Sequence, residues 1–152
     1  MKVLVQRSLE SSVSVDNKVV GKIDSGLVLL VGFTNSDTEY DIDYMINKVI
    51  NLRIFDDDNG VMNKSLLDVN GSVLSISQFT LYADTKKGRR PSYINALKAE
   101  EALKLYDLFN KKLKDLNINV ETGIFQAEMK VSITNDGPIT IMLESEEYYD
   151  KK

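Results

Sequence analysis

The chain has 152 residues, 43% of them hydrophobic and 28% charged, with a formal net charge of −4 and neither cysteine nor histidine. That length buries one sizeable core and is short for two, so a single domain over residues 1–152 is expected. Without cysteine there are no disulfides, thiolate nucleophiles or cysteine zinc sites; without histidine there is no Ser-His-Asp triad, no HExxH zinc site and not the commonest general base near neutral pH.

No apolar run approaches the roughly 20 residues of a membrane span, and the start MKVLVQRSLESS lacks a signal-peptide core, which predicts a soluble cytoplasmic protein with no membrane partner. Strands come first. Residues 2–9 alternate, Val13 and Val15 lead into the turn Asp16-Asn17, and residues 18–23 complete a meander. The run LVLLVGF over 27–33 is apolar throughout and suits a strand buried on both faces.

The period then changes. From Asp37, residues Tyr40, Tyr44, Met45, Lys48, Val49 and Leu52 share one helical face, with Ser36 or Asp37 as N-cap. A short strand over 53–55 precedes the turn DDDNG, and 66–69, Asn70-Gly71 and 72–79 read as a hairpin on a type I′ turn. A long amphipathic helix over 93–116 buries Ala96, Leu97, Ala102, Leu103, Leu105, Tyr106, Phe109 and Leu113. Strands over 120–125 and 130–134 lead through Asn135-Asp136-Gly137-Pro138 to a last strand over 139–143. The expected class is α+β, a largely antiparallel, β-barrel-like sheet capped by two helices.

Two apparent motifs fail. Asp56, Asp58 and Gly60 suggest a calcium loop, but the glycine falls one place early and no Glu stands twelfth; nor is there a G-x-G-x-x-G. No metal and no cofactor are expected. Two stretches are informative. SQFTLYAD puts the hydroxyls and amide of Ser77, Gln78 and Thr80 beside Phe79 at a strand end, directly before a loop carrying Lys86, Lys87, Arg89 and Arg90. MKVSITNDGPIT places Asn-Asp-Gly-Pro between apolar strands; read alone, those residue types make a surface turn, and about 94% of X-Pro bonds in folded proteins are trans.

Taken together, SQFTLYADTKKGRRPSY and FQAEMKVSITNDGPIT, in a chain that starts MKVLVQRSLESSV, resemble the bacterial-type D-aminoacyl-tRNA deacylases over nearly the whole chain. The resemblance implies a helix-capped β-barrel-like fold, a homodimer with active sites at the subunit interface, and a cis Gly137-Pro138 pair inserted into the partner's site. It implies an esterase that frees a D-amino acid, or glycine mischarged on tRNA-Ala, from the 3′ end of tRNA while rejecting L-aminoacyl-tRNA.

An aminoacyl ester is already activated, so positioning, oxyanion stabilisation and water suffice without a strong base. Thr80 is a candidate nucleophile by type, yet it has no neighbouring base, since the nearest titratable groups in sequence are Asp84 and Lys86. The preferred assignment of the catalytic stretch Ser77, Gln78, Phe79 and Thr80 is therefore a backbone one. Amides around 78–80 hold the oxyanion, Phe79 shapes the adenosine pocket, and the substrate's 2′-hydroxyl assists water. Gly137, Pro138 and Met129 are expected to bind substrate, the first two by backbone alone, so that Gly137→Ala should harm activity more than stability. Lys86, Lys87, Arg89 and Arg90 are expected to meet tRNA phosphates. The alternatives are a tRNA-binding module without turnover and a structural dimer with polar loops.

Overall fold

The computed structural model describes residues 1–146. In chain order the elements are β1 (Lys2–Ser8), β2 (Ser11–Val15), β3 (Lys18–Ile23), β4 (Gly26–Gly32), α1 (Glu39–Asn51), β5 (Phe55–Asp56), β6 (Met62–Lys64), α2 (Leu66–Val69), β7 (Ser72–Ser77), a 3-10 turn (Phe79–Tyr82), α3 (Ala99–Asp115), β8 (Val120–Thr122), β9 (Lys130–Ser132) and β10 (Asn135–Glu144). The class is α+β as expected. The strands form a five-stranded sheet in the order β10-β1-β4-β7-β8, a three-stranded sheet β3-β2-β9 and a small β5-β6 ladder, and they do not close into a barrel among the described residues.

β4 explains the layering. Its apolar run alternates between two cores: Leu27, Leu29 and Val31 face α1 and α3, whereas Val28 and Leu30 face the three-stranded sheet. Burial on both faces is why the run carries no polar alternation. Consistently, β4 pairs antiparallel with β1 but parallel with β7, and β7 pairs parallel with β8. Gly26 is required where β4 and β7 converge, because a Cβ there would lie 1.9 Å from the carbonyl oxygen of Ser72.

The predicted hairpin over 66–79 is absent, because Ser65 and Asp68 form a capping box that starts α2, and Asn70, at φ 52°, ends it in the left-handed conformation. Asn-Gly serves as a helix stop here. Likewise α1 is capped by Thr38 with Asp41, not by Ser36 or Asp37. Asp37 instead accepts from the Thr34 amide and the Met1 ammonium, each at 2.7 Å, and burial raises its pKa against the lowering effect of that ammonium. The buried face of α1 is Ile42, Met45, Ile46, Val49 and Ile50, while Tyr40 points outward. In α3, Tyr106, Phe109 and Leu113 are buried as expected; Leu103 is exposed, and Ala96 and Leu97 precede the helix. Among the described residues no helix is long and apolar enough to cross a membrane.

Candidate active site

β7 delivers Ser77 to the end of the five-stranded sheet, and the chain then tightens into the 3-10 turn. The Gln78 amide continues the sheet by donating to the Val31 carbonyl at 2.7 Å. The next two amides, of Phe79 and Thr80, open the turn and so have no acceptor inside it. The expected set of amides over 78–80 therefore narrows to Phe79 and Thr80. Gly32 makes the approach possible, since a Cβ at that position would lie 2.9 Å from the Gln78 carbonyl oxygen.

Beside this turn lies a cleft of about 530 Å³ lined by Ser77, Gln78 and Phe79, by Val31, Gly32, Phe33, Ile76 and Val131 from the sheets, by Leu97, Ala99 and Ala102 at the start of α3, and by Phe125, Gln126, Ala127 and Met129. None of these side chains ionises, so the cleft offers hydroxyl, amide and apolar groups alone. Met129 lines it as expected, and Gly123 leaves the space for that side chain: a Cβ there would lie 2.4 Å from the Met129 sulfur. Gln126 sits at φ 65°, in a turn closed by the Ala127 amide on the Ile124 carbonyl. Phe125 stacks on Tyr106, whose hydroxyl donates to the Ser75 carbonyl at 2.8 Å, so the wall is tied to both α3 and β7.

Thr80 does not line the cleft. Its Oγ1 accepts from the Gln78 side-chain amide. Among the described residues no three Asp or Glu side chains gather as metal ligands. The four cations Lys86, Lys87, Arg89 and Arg90 are exposed on a loop whose base is closed by reciprocal Asp84 and Ser92 backbone bonds at 2.8 and 2.9 Å.

Gly137 and Pro138 are exposed and do not line this chain's own cleft. The motif is not a turn between strands but an irregularity inside β10: between the pairs Gln6↔Thr140 and Ser8↔Asn135, two steps along β1 answer five along β10. The Gly137-Pro138 bond is cis. The bulge is held by Asn135, whose side chain accepts from the Ile139 amide at 2.9 Å, and by Arg7, whose Nε donates to the Asp136 carbonyl at 3.0 Å. Arg7 also donates from Nη1 to the Ile54 carbonyl at 2.9 Å and is only 8% exposed. Sequence reasoning passed over Arg7 and the Phe125-Gln126-Ala127 wall. Arg7 had a visible signal, because it follows Val3 and Val5 at the core-facing parity of β1.

Comparison with known proteins places the chain in a family. Residues 4–144 match the family model described as D-Tyr-tRNA(Tyr) deacylase. The D-aminoacyl-tRNA deacylase of Bacillus cytotoxicus is 57% identical over 145 residues, covering 95% of this chain and 99% of the relative. A solved structure described as c-Myc DNA unwinding element binding protein superposes with a TM-score of 0.90 at 36% identity, over 95% of this chain and 98% of that one. Another, described as a probable eukaryotic D-amino acid tRNA deacylase, has a TM-score of 0.81 at 17% identity over 93% and 97% of the two chains, a likeness of fold. The chain belongs to the D-Tyr-tRNA(Tyr) deacylase family, whose members are ester hydrolases.

Proposed function

We propose that the protein hydrolyses the ester joining a D-amino acid to the 3′ end of tRNA, releasing free D-amino acid and tRNA. The observation that carries this reading is a cleft without any ionisable side chain, lined by Phe79, whose amide, like that of the adjacent Thr80, has no acceptor inside the 3-10 turn. A site of that kind suits an activated ester. Water adds to the carbonyl, the two amides hold the oxyanion that forms, and the terminal ribose 2′-hydroxyl orients the water. Phe79 and the Phe125-to-Met129 wall supply the apolar seat for the terminal adenosine.

Chirality is assigned to the backbone of Gly137-Pro138 from a second subunit, in a homodimer whose two sites lie at the interface. Main-chain carbonyls there would take the α-ammonium and leave no room for an L side chain, so every D-amino acid and glycine, including glycine mischarged on tRNA-Ala, is accepted. Gly137 has the required openness, being exposed and without a side chain. Lys86, Lys87, Arg89 and Arg90 receive tRNA phosphates, and the place of work is the cytoplasm.

A second reading, nucleic-acid binding without turnover, draws on the relative described as a DNA unwinding element binding protein. Deacylation of D-tyrosyl-tRNA and L-tyrosyl-tRNA by the purified protein separates the two. Fast loss of the D ester with the L ester spared is expected; binding of tRNA with neither ester hydrolysed would establish the second reading instead.

A further inference from the structure

Residues 93–98 lack helical structure yet are fixed against the end of β4. Thr34 Oγ1 donates to the Asn95 carbonyl at 2.5 Å, Asn35 Nδ2 to the Ile94 carbonyl at 3.3 Å, and the Leu97 amide to the Phe33 carbonyl at 3.0 Å. This rigid strap presents apolar side chains to solvent. Ile94 is 77% exposed, Phe79 55% and Tyr93 42%, and the rings of Phe79 and Tyr93 meet edge to face with centroids 5.0 Å apart. An edge-to-face contact uses one face of one ring, so each ring keeps a face for another partner.

Position and charge identify that partner. Phe79 and Leu97 border the cleft, so the strap stands at its mouth. Immediately before the strap, the loop between Asp84 and Ser92 carries Lys86, Lys87, Arg89 and Arg90, none of which meets a carboxylate within 4 Å among the described residues, in a chain of net charge −4. Preorganised aromatic rings beside unneutralised cations are the chemistry of single-stranded nucleic acid: bases stack while phosphates are neutralised.

We infer that Tyr93, with Phe79 and Ile94, is a stacking platform for the unpaired nucleotides that precede the terminal adenosine of the tRNA 3′ end. The inference rests on the deacylase reading and adds to it a binding site at the mouth of the cleft. It predicts that the enzyme distinguishes a whole tRNA ester from the bare adenosine ester through these rings.

The test compares kcat/KM for D-tyrosyl-tRNA with kcat/KM for 3′-O-D-tyrosyl-adenosine, in the wild type, Tyr93→Ala and Tyr93→Phe. The ratio of the two values cancels any general loss of folded enzyme. Loss of one stacked base is expected to lower the ratio about tenfold in Tyr93→Ala, chiefly through KM for the tRNA ester, whereas Tyr93→Phe keeps it because the ring and not the hydroxyl is used. An unchanged ratio in Tyr93→Ala, or an equal fall in both variants, overturns the platform while leaving the deacylase reading intact. A wild type that hydrolyses neither ester overturns both.

Discussion

The Nε of Arg7 donates to the carbonyl oxygen of Asp136 at 3.0 Å, which fixes the peptide immediately before Gly137 from the far side of the β1-β10 ladder. The same guanidinium reaches the Ile54 carbonyl and approaches Asp56 at 3.4 Å and the Asp136 carboxylate at 3.5 Å. One nearly buried cation thus joins three segments. Arg7→Ala leaves these acceptors unsatisfied and should cost about 1–3 kcal/mol in urea unfolding. Deacylation of D-tyrosyl-tRNA should fall further than stability explains, by at least about tenfold under conditions where the variant is fully folded. Lysine at this position, with one compact ammonium in place of a planar fork, should rescue stability in part and activity hardly at all.

Thr80→Ala is expected to keep activity within about tenfold of wild type, since it removes one neutral hydrogen bond, to Gln78, and no group lining the cleft. Steady-state kinetics would show this. An acyl group trapped on Thr80, with an inactive alanine variant, would contradict it.

Gly137→Ala should act on folding as well as on the site. Gly137 has φ 133°, and an added Cβ would lie 2.8 Å from Ile139 Cγ1 and 3.1 Å from its amide nitrogen. The strain should cost about 1–3 kcal/mol, measurable as a lowered urea midpoint alongside lost deacylation.

How far the sequence reached follows from the range of each signal. β1 to β4 and the buried face of α3 were legible because period and turn chemistry act locally: Asp16 and Asn17 take φ values of 50° and 64°, as a type I′ turn requires. The hairpin at Asn70-Gly71 failed because the same dipeptide also ends a helix, and the deciding Ser65-Asp68 box lay five residues upstream of Asn70. Ser77 to Phe79 and Met129 were placed together by resemblance to a family, and the cleft unites them. That Leu97 and Ala102 complete its wall depends on α3 packing beside β4, a tertiary fact that no local pattern carries.

Neutralising two of Lys86, Lys87, Arg89 and Arg90 should weaken tRNA binding and reduce the slope of log K against log salt by about 1.4 to 1.8, at 0.7–0.9 per phosphate contact. The melting temperature should not move, because none of the four is paired with a carboxylate among the described residues. Filter binding across a salt series, with a thermal melt, tests both halves.

Acid stability should be set by opposing carboxylates. The Ser65 amide and hydroxyl hold the Asp68 pKa below its ordinary 3.8, and the Val61 and Asn59 amides do the same for Asp57. Their stabilisation is complete above about pH 4 and disappears as pH falls through the depressed folded-state values. Asp37 runs the other way: burial raises its pKa, so this group alone favours the folded state as pH drops from neutral towards 3.8. Urea midpoints between pH 2 and 6 should show the acid limb starting below pH 4, and Asp68→Ala should make it shallower.

The pairing of β1 with β10, which sets Lys2 opposite Glu144, has a kinetic consequence. While the chain is being made, β1 can find β4 within a few dozen residues, but its other edge stays open until Asn135–Glu144 have emerged. Closing so long a loop costs entropy before any ladder bond rewards it, and such non-local pairings fold slowly. A nascent chain therefore carries an unpaired β1 edge until β10 emerges, and that edge is where premature association between growing chains would begin.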